Sequence, residues 1–376
     1  MQATTRGEHI HTAWLRFSCD ETFTSGAQEI SLRHGCAAPT LKRFEWSKVQ
    51  TEAVTERPLE PPAIPSRGMN VKNGVSLHSI EYLGRDRDFL WNHDFLGLLA
   101  SRMDLKRCRS VLDVGCGVGH WSLALLPWIG QKPRMVGVDL EPDHALEYER
   151  VINLQRGVAN ARGVTANAER LPFDEGQFDL VTCQTVLMHA KCPEQVLREM
   201  MRTLRPGGLL LCVEPNNTVS RMPMAELASG SDPRVVLLLS ELAIRISIGL
   251  KRRGRSEEYI GERLPALFQS AGAKDIRVWT SDKAFVDLPP YDTPEEVARA
   301  AISKQFAVNG TGVFDREEAR ASFLAADGSE ARFKRCWSAF IDAWERAQES
   351  RKSNLWSTSN GGLFYIGAGR KSQDGA

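Results

Sequence analysis

Residues 110–119 read S-V-L-D-V-G-C-G-V-G, a short apolar run with an acid inside it and then glycine at every second position. Val111, Leu112 and Val114 have the composition of a strand buried on both faces. Gly115, Gly117 and Gly119 remove Cβ atoms where the backbone must turn sharply and lie against a ligand, and the apolar spacing from Trp121 to Trp128 predicts a helix directly after them. A strand, a glycine turn and a helix in that order form a cradle for a nucleotide-like cofactor, although glycines also serve ordinary strand-to-helix turns.

The next hundred residues repeat the alternation. Residues 134–138 (R-M-V-G-V) predict a second buried strand that ends at Asp139. A carboxylate there either accepts hydrogen bonds from the ribose hydroxyls of an adenosine or caps the helix that begins at Pro142. A third unit follows over 163–184, carrying Asn167, Ala168 and Glu169 and then a strand-like run that ends at Gln184. A helix over 194–204 is closed by Arg205-Pro206-Gly207-Gly208, a helix stop and tight turn before a strand over 209–213 that runs into Glu214. Strands alternating with helices of this length predict a parallel sheet with helices on both faces.

In V-L-D-V-G-C-G-V-G-H (111–120), V-G-V-D-L (136–140), N-A-E-R-L-P-F (167–173), F-D-L-V-T-C-Q-T-V-L-M-H (178–189) and L-R-P-G-G-L-L-L (204–211), the chain resembles the class I S-adenosylmethionine-dependent methyltransferases, in particular their small-molecule, type 11 branch. A nicotinamide-binding domain is the nearest rival, but its fingerprint needs a third glycine where this chain has His120. The resemblance implies an α/β, Rossmann-like fold with a seven-stranded, mostly parallel sheet whose last strand is antiparallel, and S-adenosylmethionine as cofactor. By the same resemblance, the turn of Gly115, Cys116, Gly117 and Gly119 faces the methionine and ribose, and Asp113 orients that turn and the cofactor's amino group. Asp139 binds the ribose hydroxyls with Leu140 on the adenine face, Asn167 and Ala168 sit at the adenine edge, and the Gln184 backbone lies near the methionine ammonium. The family usually has Asp at the position of Asn167, whose amide still offers an acceptor for the exocyclic amine of adenine. Pro289-Pro290-Tyr291 resembles the P-P-Y element of adenine and glutamine amino-methyltransferases; there it follows the fourth strand and here the sixth, so a rigid turn is expected.

Around this core, at 110–216, the chain divides further. Residues 1–68 mix charges and lone aromatics with a proline-rich run at 58–65, which predicts a poorly ordered extension and linker. Residues 69–109 predict a helical cap. Its Tyr82, Arg87, Trp91 and Asn92 either line the cofactor pocket, with an arginine answering the methionine carboxylate, or belong to a helix whose Trp91 and Phe95 pack one face. Residues 217–292 are expected to form a helical lid and the sixth strand, 293–352 a helical insertion that roofs the acceptor, and 353–376 the last strand and tail. The apolar stretch 235–250 is interrupted by Glu241 and Arg245 and falls short of the roughly 20 residues a spanning helix needs, so no transmembrane segment is expected. The basic residues from Lys251 to Arg255 read as a solvated helix end or a contact to anionic lipid.

A formal net charge of +1 over 376 residues gives no broad positive field, so no nucleic-acid partner is expected. Eight cysteines without a C-x-x-C pair suggest a reduced, cytoplasmic chain with buried thiols and no metal site; thiolate chemistry at Cys183 or Cys192 is the alternative to core packing. Methyl transfer by in-line displacement depends on positioning and on excluding water, and demands no fixed acid or base. A hydroxyl acceptor would gain from a base, for which His189 and Glu214 at the sheet's carboxyl edge are the candidates. Otherwise His189 caps or orients the helix entered at Cys192, and Glu214 accepts hydrogen bonds at a strand end. The expected acceptor is a small organic molecule; a protein or RNA acceptor, or a catalytically silent cofactor-binding regulator, are the alternatives left open.

Overall fold

A computed structural model of the chain describes residues 87, 89–298, 300 and 315–373. The extension expected over 1–68, Cys19, Cys36, Tyr82 of the expected cap and residues 301–314 of the expected insertion lie outside the described residues.

Helix α1 (His93–Met103) leads into β1 (Ser110–Val114), α2 (His120–Leu125), β2 (Arg134–Asp139), α3 (Pro142–Asn153), β3 (Asn160–Thr165), β4 (Phe178–Gln184), α4 (Pro193–Thr203) and β5 (Leu204–Pro215). There follow α5 (Asn217–Ser220), α6 (Met224–Ala228), α7 (Pro233–Arg252), α8 (Leu264–Ser270), β6 (Lys274–Thr280), β7 (Phe285–Asp287), α9 (Arg316–Ala325), α10 (Glu330–Lys352), β8 (Thr358–Asn360) and β9 (Phe364–Arg370). Seven strands form one sheet in the order β3-β2-β1-β4-β5-β9-β6, and β7 pairs with β8 in a separate ribbon. β1 runs parallel to β2 and β4, β2 to β3, and β4 to β5, whereas β9 is antiparallel to both β5 and β6. This is the sheet expected from the sequence. Its order reverses between β1 and β4, which opens a crevice at the carboxyl ends of those strands.

The central strands read as unbroken apolar runs because both faces are covered. Val111, Leu180 and Leu211 pack under α1, α2 and α3, against Leu99, Trp121 and Ile152; Leu112, Val181 and Leu210 face α4 and α8, against Leu197, Met200 and Phe268. Each such side chain contributes about 1.5–3 kcal/mol on burial. Pro142 and Pro193 stand in the first turns of α3 and α4, where a missing amide costs nothing. Residues 205–208, expected as a turn, are carried within β5: Gly207 takes φ +73°, and the register against β4 slips between Phe178 and Leu180.

A second core joins α7, α9 and α10, where Leu242, Ile246 and Leu250 meet Phe323, Phe333 and Trp337. Asp232, Asp315 and Ser329 cap the three helices through their side chains. The apolar stretch 235–250 thus lies within one helix packed on two others, and no described helix is long and apolar enough to cross a membrane. The basic end of α7 is answered by the protein itself: Lys251, Arg252 and Arg253 each approach an acid at 2.7 Å, namely Glu257, Asp327 and Glu318.

Candidate functional site

Where β1, β2 and β4 end, the sheet opens on a cavity of about 520 Å³. Gly115, Cys116 and Gly117 line it on the β1 side, Asp139 and Leu140 at the end of β2, Asn167 and Ala168 after β3, and Gln184 and His189 after β4. Gly115 has φ +66°, and a Cβ there would come within 2.3 Å of Val186 Cγ2. Glycine is therefore needed because the loop after β4 closes directly over the turn. Gly119, with φ +97°, is the residue that lets the chain enter α2 and does not itself line the cavity.

Asp139 is the most connected acid of the cavity. Its Oδ2 accepts from the Gly117 amide at 2.9 Å, its Oδ1 accepts from the Glu141 amide at 3.0 Å, and His144 Nδ1 lies 3.3 Å from Oδ1. Burial works against its charge, but the His144 imidazole and the two amides outweigh burial and hold the carboxyl below its ordinary range. The same contact with Asp139, opposed by burial, raises His144. Both expected roles meet in one place, since Asp139 faces the cavity and also binds the Glu141 amide at the start of α3. Asn167 turns its Oδ1 to the Glu169 amide at 2.8 Å, which commits the expected adenine acceptor to its own loop. Leu140 stands 67% exposed on the rim.

Several expected pocket residues are elsewhere. Trp91 is packed between Trp121 and Phe364, with ring centroids 5.5 and 5.7 Å away, and so belongs to the core; Asn92 donates to Asp282 at 3.2 Å. Neither lines the cavity, whereas Arg87 does. Asp113 lies beneath the turn rather than on it. Its Oδ2 accepts from Ser122 Oγ at 2.7 Å, Ser122 in turn meets Tyr148, and Oδ1 has no hydrogen-bond partner. Burial pushes its carboxyl up to about 7. Glu214 is fully buried, with its oxygens turned to the amides of Val186, Leu187 and Met188 at 2.8–3.2 Å, so the structure gives the expected base no access to a substrate. His189 remains exposed at the cavity. Hydrogen bonding with Cys212, together with burial, pushes the Cys183 thiol well up, which makes it a protonated core group. Tyr291 lies outside the cavity and donates to Asp287 at 2.8 Å, in keeping with a turn rather than a base-binding element.

The structure also brings in residues that pattern reading passed over: His144, His120, Thr185 and Lys191 all line the cavity. For His144 a signal exists. A helix that starts at Pro142 returns its third residue to the end of the preceding strand, where Asp139 waits.

A sequence profile described as a methyltransferase domain matches residues 111–208. The chain is 36% identical over 125 residues to the demethylmenaquinone methyltransferase of Shouchella clausii, which is 33% of this chain and 51% of that protein. It is 31% identical over 130 residues to the uncharacterized methyltransferase YcgJ of Bacillus subtilis, 35% of this chain and 50% of that one. The chain thus spans about half the length of these curated relatives. Among solved structures, a putative methyltransferase from Bacillus halodurans aligns with a TM-score of 0.41 at 18% identity, covering 74% of this chain and 99% of that one. The matched segment coincides with the strands that bear the glycine turn and Asp139, and over that segment the chain is similar to a methyltransferase domain.

Proposed function

We propose that the protein binds S-adenosylmethionine and transfers its methyl group to an O, N or C atom of a small organic acceptor. The observation that carries this reading is the Asp139 carboxylate, held charged at the end of β2 beside the glycine turn, from whose Gly117 amide it accepts a hydrogen bond, within one cavity. The residues present fit the cofactor. A carboxylate offers about four accepting positions, and protein donors take three of those on Asp139, so Oδ2 keeps capacity for a ribose hydroxyl. Exposed Leu140 offers the apolar face that an adenine needs, Asn167 and Ala168 stand at the edge, and Arg87 is the candidate partner of the methionine carboxylate.

The cofactor supplies a sulfonium methyl group open to in-line attack. The chain's own part is to orient and to exclude water: the turn at 115–117 and Asp139 fix one side, and Gln184, Thr185 and His189 form the wall on the other. His189 is the candidate to take a proton from a hydroxyl acceptor. Relatives named for demethylmenaquinone methylation support a small organic acceptor, while α7, α9 and α10 lie outside the matched segment and, contrary to the expected roof, supply none of the described residues that line the cavity. Methyl-labelled cofactor incubated with the protein and size-fractionated cell extract tests the reading. Label is expected in the small-molecule fraction; label confined to protein or RNA would contradict the acceptor class, and absence of cofactor binding would contradict the reading itself.

A further inference from the structure

We infer that Glu214 is a positioning residue: from behind the cavity wall its carboxylate clamps residues 186–188 and so holds Thr185 and His189 in place. The inference rests on the methyltransferase reading for what the wall serves. Glu214 Oε1 accepts from the Val186 amide at 2.9 Å and the Leu187 amide at 2.8 Å, and Oε2 accepts from the Met188 amide at 3.2 Å. Three successive amides converging on one carboxylate make a charge-assisted anchor that a neutral acceptor cannot reproduce. The segment they hold needs one. Thr185, a β-branched residue, sits at φ +56°, a conformation that persists only where the surroundings over-determine it.

Two further ties converge on the same turn: the Thr185 amide donates to Val213 O at 2.8 Å, and the Glu257 amide to Met188 O at 2.8 Å. Leu187 and Met188 face the core, whereas Thr185, Val186 and His189 face the cavity. Val186 also covers Gly115 so closely that no Cβ fits between them. Among the described residues no cation pairs with Glu214. Around it stand the Cys183 thiol of β4 at 3.9 Å and, at the paired position on β9, Tyr365, whose hydroxyl is given to Glu262 at 2.6 Å. Burial pushes the Glu214 carboxyl up to about 7, against the three amides that favour its charge. The clamp is therefore complete above neutral pH and released by protonation below it.

The test uses the full chain without ligand. Followed by NMR from pH 5.5 to 8.5, the amide protons of Val186, Leu187 and Met188 should move together with one midpoint near 7. In Glu214→Gln that titration should vanish, and exchange of these amides should speed up at least tenfold while those of β1 and β2 keep their protection. With S-adenosylhomocysteine as probe at pH 8, affinity should fall less than threefold, whereas methyl transfer into the small-molecule extract at saturating cofactor should fall at least tenfold. Separate midpoints, unchanged exchange, or unchanged transfer would overturn the inference, and the wild-type titration decides it even if Glu214→Gln does not fold. Failure of the wild-type chain to bind S-adenosylhomocysteine would instead overturn the methyltransferase reading, with the ligand-free measurements still deciding the clamp.

Discussion

At the carboxyl end of β2, Asp139 faces a cavity and holds its charge through two amides and a histidine; at the carboxyl end of β5, Glu214 also binds backbone amides but is sealed in the core. The two acids occupy equivalent places on neighbouring parts of one sheet edge. Their protonation nevertheless moves in opposite directions, down for Asp139 and up to about 7 for Glu214. What separates them is that Glu214 has lost its water entirely, whereas Asp139 keeps part of its own and has the His144 imidazole beside it. An acid at a strand end is thus a candidate for chemistry only while one of its oxygens stays open, and otherwise it holds the wall against which chemistry occurs.

The sharpest way to break this contrast between covered and open groups is to truncate one of each. Trp91→Ala removes an 8%-exposed ring wedged between Trp121 and Phe364, and should cost about 3–5 kcal/mol of unfolding free energy in urea. A loss under about 1 kcal/mol would return Trp91 to the pocket. The next effect is in pH dependence. A carboxyl raised from 4.5 to about 7 binds its proton more tightly in the folded state, so its contribution is fully present below pH 4.5 and is lost as pH rises to about 7. Wild type should therefore lose up to about 3 kcal/mol relative to Glu214→Gln across that window. Asp139, lowered from 3.8, contributes above that value and loses its contribution only as pH falls below it. Asp139→Asn should thus run parallel to wild type between about pH 4.5 and 5.5, below the range in which His144, raised from 6.5 by Asp139, titrates, and matching slopes for the two variants there would erase the contrast. The smallest effect belongs to His189→Ala, an exposed position at the cavity: unfolding free energy should change by less than about 0.5 kcal/mol while methyl transfer falls.

Much of this was readable in advance. Burial on both faces writes itself as an apolar run, so 111–114 and 134–138 mark β1 and β2 almost to the residue, and the helix expected over 194–204 is α4, Pro193–Thr203. The ribbon of β7 and β8 was not readable, because two three-residue strands are made by pairing Phe285–Asp287 with a partner more than seventy residues away rather than by their own pattern. Trp91 was ambiguous for a related reason: an aromatic at helical spacing suits a pocket or a core, and only Phe364, far along the chain, decides between them. For Glu214 the deciding partners lie 26–28 residues upstream, in a turn whose left-handed residue is a threonine and carries no glycine to announce it.

The central claim, that Asp139 is the open acid and Glu214 the covered one, is tested most directly by titration calorimetry of S-adenosylhomocysteine into wild type, Asp139→Ala and Glu214→Gln at pH 8. Loss of a charged acceptor is worth about 1.5–3 kcal/mol, so Asp139→Ala should bind more than tenfold more weakly, while Glu214→Gln stays within threefold of wild type. Equal affinity in wild type and Asp139→Ala, or a larger loss in Glu214→Gln than in Asp139→Ala, would contradict it.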